Sequence, residues 1–154
     1  MIRILLELIQ RVKKSFFWIW RQEGTPAERA RGVAVGIFSG CFPFFGFQSL
    51  IGVLLASWFK GNHLMAVAAT WISNPFTYVP LYWFNYHVGS ILLGPVQNLA
   101  EPGPFSFSMI WTQGWIFSSR LLIGSTLVGL FASSIVGTIV YFLLSRLFKM
   151  KRFD

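Results

Sequence analysis

Acid is scarce in this chain. Glu7, Glu23, Glu28, Glu101 and Asp154 are the only carboxylates among 154 residues, against 13 lysines and arginines. None of the five lies between residues 29 and 100. Proton-coupled transporters keep an acid within their apolar segments, so the gap counts against that class. Cysteine is nearly missing too. Cys41 alone excludes an internal disulfide and a cysteine-rich metal site, and in its apolar run it reads as a small packing residue. The two histidines, His63 and His87, have no carboxylate between them and make a poor metal pair. A Walker A loop, a dinucleotide fingerprint and an HExxH helix are all absent. Ser39, Ser49 and Ser73 lack a triad partner set. What remains is a protein read as non-enzymatic, with no catalytic residue, no metal and no cofactor.

Charge of either sign is thin. Charged residues make up 12% of the chain, about half of the ~25% usual in soluble domains. Hydrophobic residues make up 55%, with 17 Phe and seven Trp, and the mean hydropathy is +0.60. The net charge of +8 sits at the ends. Arg3, Arg11, Lys13, Lys14, Arg21, Arg29 and Arg31 open the chain; Arg146, Lys149, Lys151 and Arg152 close it. Only Lys60 and Arg120 stand between. Basic ends could bind nucleic acid. Here they flank apolar runs of spanning length, which favours a bilayer with anionic headgroups and no nucleic acid.

The fold class predicted is all-α: a polytopic membrane protein with Pro/Gly-broken helical hairpins, an N-terminal amphipathic helix and a C-terminal transmembrane helix. Residues 1–24 form the first unit. Ile2, Leu5, Leu6, Ile9, Val12, Phe16 and Trp20 recur at helical spacing, opposite Arg3, Glu7, Gln10, Lys14 and Arg21. That is the pattern of a helix lying in the membrane interface; packing on the rest of the protein is the plainer alternative. Charges at Arg11, Lys13 and Lys14 interrupt any signal-peptide core.

A single membrane domain, residues 25–154, follows. Thr25, Pro26 and Glu28 make a helix start with a capping box. Gly32, Gly36 and Gly40 share one helix face and invite close packing. Pro43 removes a donor, and Gly46 permits a positive φ. Gln48, Gly52 and Ala56 then form another four-spaced stripe. The segment 26–59 is therefore two half-helices, each short of the ~20 residues that cross a bilayer. A re-entrant hairpin is favoured over one kinked span, because Lys60 would then stay on the positive, cytoplasmic side. The segment 62–94 is broken at Asn74-Pro75 and carries Pro80 within its second half. Tyr78, Tyr82, Trp83, Asn85, Tyr86 and His87 make that half too polar to face lipid all round. Residues 95–108, with Pro95, Pro102, Gly103 and Pro104, read as a loop on the outer face. Met109 to Ser119 reads as an interfacial approach, and Arg120 as an anchor. The span 120–146 encloses 25 residues without charge, Leu121 to Ser145. Ser125, Gly129, Ser133 and Gly137 form its packing stripe. Both termini are expected in the cytoplasm, with two full crossings.

The polar groups left at the breaks define the expected binding set: Arg29, Arg31, Gln48, Asn62, Thr70, Asn74 and Thr77. Broken helices expose peptide groups at membrane depth, tolerated only beside protein or a watery cavity. In transporters, paired interruptions mark the binding site. The bland alternative is that Gln48 and Asn74 merely satisfy those freed groups.

These residues carry a resemblance. Ala30-Arg31-Gly32-Val33-Ala34-x-Gly36-x-Phe38-x-Gly40-x-x-Pro43-x-x-Gly46-x-Gln48, then Asn62, then Thr70-x-x-x-Asn74-Pro75-x-Thr77-x-x-Pro80-x-Tyr82 resembles a family of small bacterial integral membrane proteins known as a domain of unknown function. The resemblance spans roughly residues 25–95. It implies the bacterial cytoplasmic membrane. In that family the domain is sometimes joined to glycosyltransferase-like or methyltransferase-like domains, which implies an envelope enzyme of either kind as a partner. It supplies no catalytic residues. The function expected is a carrier or translocation module for a small or lipid-linked anionic solute, working as a homo-oligomer. The alternative is a membrane scaffold or accessory subunit for envelope (glyco)lipid enzymes.

Overall fold

The computed structural model describes Glu7, residues 24–94 and residues 107–150. The expected amphipathic helix (apart from Glu7), residues 95–106 of the expected loop, and Lys151 and Arg152 lie outside the described residues. Among the described residues the protein is all-helical, with five α-helices and one 3₁₀ turn.

Helix α1, Pro26–Gly40, starts where the capping box predicts. The Glu28 amide donates to Thr25 Oγ1 at 3.2 Å, and the Thr25 amide donates to Glu28 Oε2 at 2.9 Å. Two orphan donors of the first turn are satisfied reciprocally. The chain is non-helical from Cys41 to Phe47. Gly46 supplies a φ of +83° there, and α2, Gln48–Trp58, runs back along α1. At its far end the Gly61 amide donates to Ala56 O and the Lys60 amide to Ser57 O. This is a Schellman closure, with Lys60 at φ +52° where glycine is usual. The Asn62 amide then donates to Glu28 O at 2.9 Å. Residues 60–62 thus return to the level at which α1 began, so α1 and α2 form a hairpin.

Helix α3, His63–Ala69, continues into the 3₁₀ turn Thr70–Ile72. It runs up the glycine face of α1. A Cβ on Gly32 would strike the Asn62 backbone, on Gly36 the Ala66 carbonyl, and on Gly40 the Ile72 side chain at 2.7 Å. The small-residue stripe therefore seats α3. Helix α4, Tyr78–Leu93, does not fold back along α3 as a second hairpin would. Pro80 is its third residue, in the first turn, where no N–H has a helical partner to lose.

Helix α5, Phe107–Met150, is 44 residues and unbroken. The interfacial approach at 109–119 and the final span are one element. Residues Gln113–Lys149 form the one helix among the described residues long and apolar enough to cross a membrane. Its first half packs against α4 and its second against α1. Gly124 abuts Asn85, a Cβ on Gly129 would lie 3.1 Å from Phe38 and one on Gly137 2.9 Å from Ala34, and Phe148 lies under Arg29. Large apolar side chains cover the outside; Phe76 is 92% exposed and Trp58 82%.

Candidate functional site

The two breaks meet beside the α4–α5 crossing, and their polar groups interlock. Losing the helix at Pro43 strips the carbonyls of Cys41 and Phe42 of helical donors. Cys41 O takes Asn85 Nδ2 at 2.9 Å. Phe42 O takes Gln48 Nε2 at 2.6 Å and the Tyr82 hydroxyl at 3.2 Å. Gln48 Nε2 also donates to Tyr82 Oη at 2.9 Å. At the second break Asn74 folds over its own turn: its Nδ2 donates to Trp71 O at 3.2 Å, and its Oδ1 accepts from the Phe76 amide at 3.0 Å. Thr77 Oγ1 donates to Ile72 O at 2.6 Å and accepts from the Asn74 amide at 2.9 Å. Two hydroxyl bridges tie the breaks together. Ser73 Oγ donates to Gln48 Oε1 at 2.8 Å, and Ser49 Oγ pairs with Thr70 Oγ1 at 3.1 Å.

A cavity of about 230 Å³ opens at this junction, lined by Gly46, Gln48, Ser49, Thr70, Trp71, Ser73, Asn74, Pro75 and Tyr78. The side-chain protons of Gln48, Ser49, Thr70 and Ser73 are committed. Thr70 donates its one hydroxyl proton to Val67 O at 2.7 Å, so Ser49 must be the donor to Thr70. Both Gln48 amide protons go to Phe42 O and Tyr82 Oη. Among the described residues, the Trp71 indole N–H, the Tyr78 hydroxyl and the second Asn74 Nδ2 proton have no acceptor. Helices α2 and α4 both begin at the cavity, and neither has a side-chain cap on its first turn. The positive ends of both helix dipoles lie there. On α2 the first-turn N–H groups of Ser49 and Leu50 are free. On α4 the Tyr78 amide goes to Asn74 O at 3.0 Å, and Pro80 has no N–H.

The expected binding residues divide between two ends of the protein. Gln48, Thr70 and Asn74 line the cavity, and Thr77 closes the turn beside it. Arg29, Arg31 and Asn62 lie at the opposite end of α1. Arg29 is buried with its guanidinium 5.3 Å over the Phe148 ring. Arg31 is exposed, and its Nε and Nη2 donate to Lys60 O at 3.2 and 2.9 Å. Asn62 caps α3 through the Met65 amide at 2.9 Å. The helix breaks Pro43, Gly46 and Pro75 fall in non-helical chain.

Sequence reasoning passed over the residue at the centre. Asn85 is wholly buried, with Nδ2 shared between Cys41 O and Ser125 Oγ at 3.0 Å and with Oδ1 unpartnered. Its signal was an amide in an apolar helix four residues before Gly89. Gly89 and Gly124 were missed as a pair: a Cβ on either would strike the other helix's backbone, at Arg120 O and Asn85 O. Arg120, read as an anchor of the final span, packs inside the protein. It is buried, and its Nη2 donates to Gly94 O at 3.1 Å at the end of α4. Ser125, Gly129 and Gly137 are used inside the chain, Ser125 against Asn85 and the two glycines against α1; Ser133 is half-buried. Among the described residues no three His, Cys, Asp or Glu side chains gather.

Residues 9–153 match the family described as uncharacterized protein conserved in bacteria (DUF2062), and the chain belongs to that family. No curated protein matches, and no solved structure does.

Proposed function

We propose that this member of the bacterial family is a polytopic protein of the inner membrane that carries or translocates a small or lipid-linked anionic solute. In this reading the α1–α2 hairpin is re-entrant from the cytoplasmic side. The path α3–α4 crosses once, α5 crosses back, and both termini are cytoplasmic. Arg146 and Arg120 bound the crossing of α5. They lie about 39 Å apart along the helix at ~1.5 Å per residue, enough to put one at each edge of a ~30 Å hydrocarbon core. Phe76, Trp58 and the other exposed aromatics then face lipid and its interfaces.

The observation that carries the reading is the convergence of two broken segments on one cavity with two uncapped helix starts. Irregular backbone at membrane depth is tolerated where it lines a cavity, and half-helix N-termini favour negative charge. An anion would rest on the free first-turn N–H groups of α2 and on the Trp71, Asn74 and Tyr78 donors that line the cavity. With so few helices to enclose a path, at least a homodimer is proposed.

A second reading has its own observation. Gln48, Ser49, Thr70, Ser73, Asn74 and Thr77 are all hydrogen-bonded within the chain, as expected of a scaffold or accessory subunit that docks an envelope glycosyltransferase or methyltransferase. Flux of phosphorylated and lipid-linked solutes into proteoliposomes separates the two. Gln48→Leu and Asn74→Ala should cut flux at least tenfold while melting temperature changes little. Variants that shift only the melting temperature would leave the scaffold standing.

A further inference from the structure

A second opening lies away from the junction. A groove of about 470 Å³ runs between α1 and α5. Ala27, Ala30 and Ala34 form one wall, and Gly137 and Thr138 stand on the other. The hydroxyls along the α5 wall have turned inward. Ser133 and Ser134 donate to Leu130 O at 3.1 and 2.7 Å, and Thr138 donates to Ser134 O at 2.7 Å. Hydroxyls bonded to carbonyls of their own helix present mainly methyl and methylene surface. The groove is therefore apolar in effect.

Its size and charge select the occupant. One turn of helix about 10 Å across and 5.4 Å long fills roughly 420 Å³, so a docking helix would exhaust the groove in a single turn. An extended hydrocarbon chain lies in it lengthwise. Arg31 lines the groove at its charged end. Its two bonds to Lys60 O hold one edge of the guanidinium in place, which leaves the two protons of Nη1 for a phosphate oxygen. Arg146 and Lys149, both exposed, stand at the same end of α5. We propose that the α1–α5 groove binds one acyl chain of an anionic phospholipid, with the lipid phosphate on Arg31. The site is separate from the junction cavity and does not depend on solute flux.

The test is lipid retention by the full chain. Delipidated protein in detergent is titrated with phosphatidylglycerol or phosphatidylcholine, and bound lipid is counted by native mass spectrometry. One phosphatidylglycerol per chain is expected, held about tenfold more tightly than phosphatidylcholine. Thr138→Trp and Ser134→Phe fill the groove from its exposed wall, so each should lower retention of both lipids at least tenfold. Leu143→Trp, exposed on the opposite face of the same helix, should change nothing. Arg31→Gln should erase the preference for phosphatidylglycerol, and Arg31→Lys should keep most of it. Wild-type retention in both filled variants would overturn the proposal, as would a preference that survives Arg31→Gln. So would Thr138→Cys crosslinking between chains in native membranes with lipid retention intact, which would assign the groove to a second copy.

Discussion

At Cys41–Phe47 the chain turns back, and α2 lies along α1; at Ser73–Thr77 it bends and goes on, and α4 lies along α5. Both breaks contain a proline, and both precede a helix whose start has no side-chain cap. Proline removes a donor and ends a helix, but it sets no direction. Two other features do. The first break has Gly46 at φ +83°, while Ser73–Thr77 has no positive φ. The helices after the breaks also have different close-approach sites. On α2, Gly52 sits against Ser39 and Gly36 of α1; on α4, Gly89 sits against Arg120 of α5. In a membrane-like setting, where apolar burial drives little helix association, such contacts decide which helices pair.

The harshest way to break this comparison is Gly124→Leu. Its Cβ would strike Asn85 O, a backbone atom that no rotamer can move away. Overpacking usually costs about 1–3 kcal/mol, and more where backbones must part; about 3 kcal/mol is expected here. Unfolding in detergent reads the total, and hydrogen exchange reads its location. Amides of 78–93 should lose protection while those of 26–58 keep theirs. Equal loss in both regions would mean that the hairpin and the α4–α5 pair are not separate units.

Next comes a contrast between two amides. Asn85→Leu leaves Cys41 O with no other side-chain donor among the described residues. A buried acceptor stripped of its partner costs ~1–3 kcal/mol, and membrane hydrogen bonds fall at or below the low end. Relief of the unpartnered Asn85 Oδ1 offsets part of this, so a loss of about 1 kcal/mol is expected. Gln48→Leu should cost less, about 0.5 kcal/mol, because each partner has a fallback. Phe42 O keeps the Tyr82 hydroxyl, and Ser73 Oγ can turn to Thr70 O, 3.2 Å away. Chemical denaturation of both variants in one detergent ranks them. The reverse order would give the first break, not the crossing, the greater share of stability.

The sequence made the helix starts and stops legible, because those depend on neighbouring residues. Thr25-Pro26-Ala27-Glu28 fixed the start of α1, and Pro43, Gly46 and Asn74-Pro75 fixed where helices end. The stripe Gly32, Gly36, Gly40 gave a packing face, since four-residue spacing is a property of one helix. It could not name the helix that fills the face: α3 was expected as the first half of the broken segment 62–94, with no signal that it seats on α1. Gly89 has no four-spaced companion on its helix, so its pairing with Gly124 had no periodic signal. Of the site, Gln48, Thr70 and Asn74 were legible as polar groups at breaks. Arg29, Arg31 and Asn62 were grouped with them by polarity, although a rise of ~1.5 Å per residue already sets the start of α1 well apart from the break at its end. Asn85 was hidden among its polar neighbours Tyr82, Tyr86 and His87, because only the crossing distinguishes the buried one.

The smallest expected effect sharpens the same contrast at the far end of the hairpin. The hairpin needs a positive φ at both of its turns, and only one is glycine. Lys60 holds φ +52° with a Cβ in place, which costs about 1 kcal/mol for a side chain without special local bonding. Lys60→Gly should recover roughly 0.5 kcal/mol, since a more flexible unfolded chain offsets part of the relief. The Lys60 carbonyl that Arg31 uses belongs to the main chain and survives the change. Lys60→Ala removes the same charge but keeps the strain, so it should gain nothing. Melting temperatures of the two variants side by side isolate backbone strain from charge. An equal gain in both would show that Lys60 destabilises by its charge, and the hairpin would then owe its reversal to Gly46 and the Gly36–Gly52 contact alone.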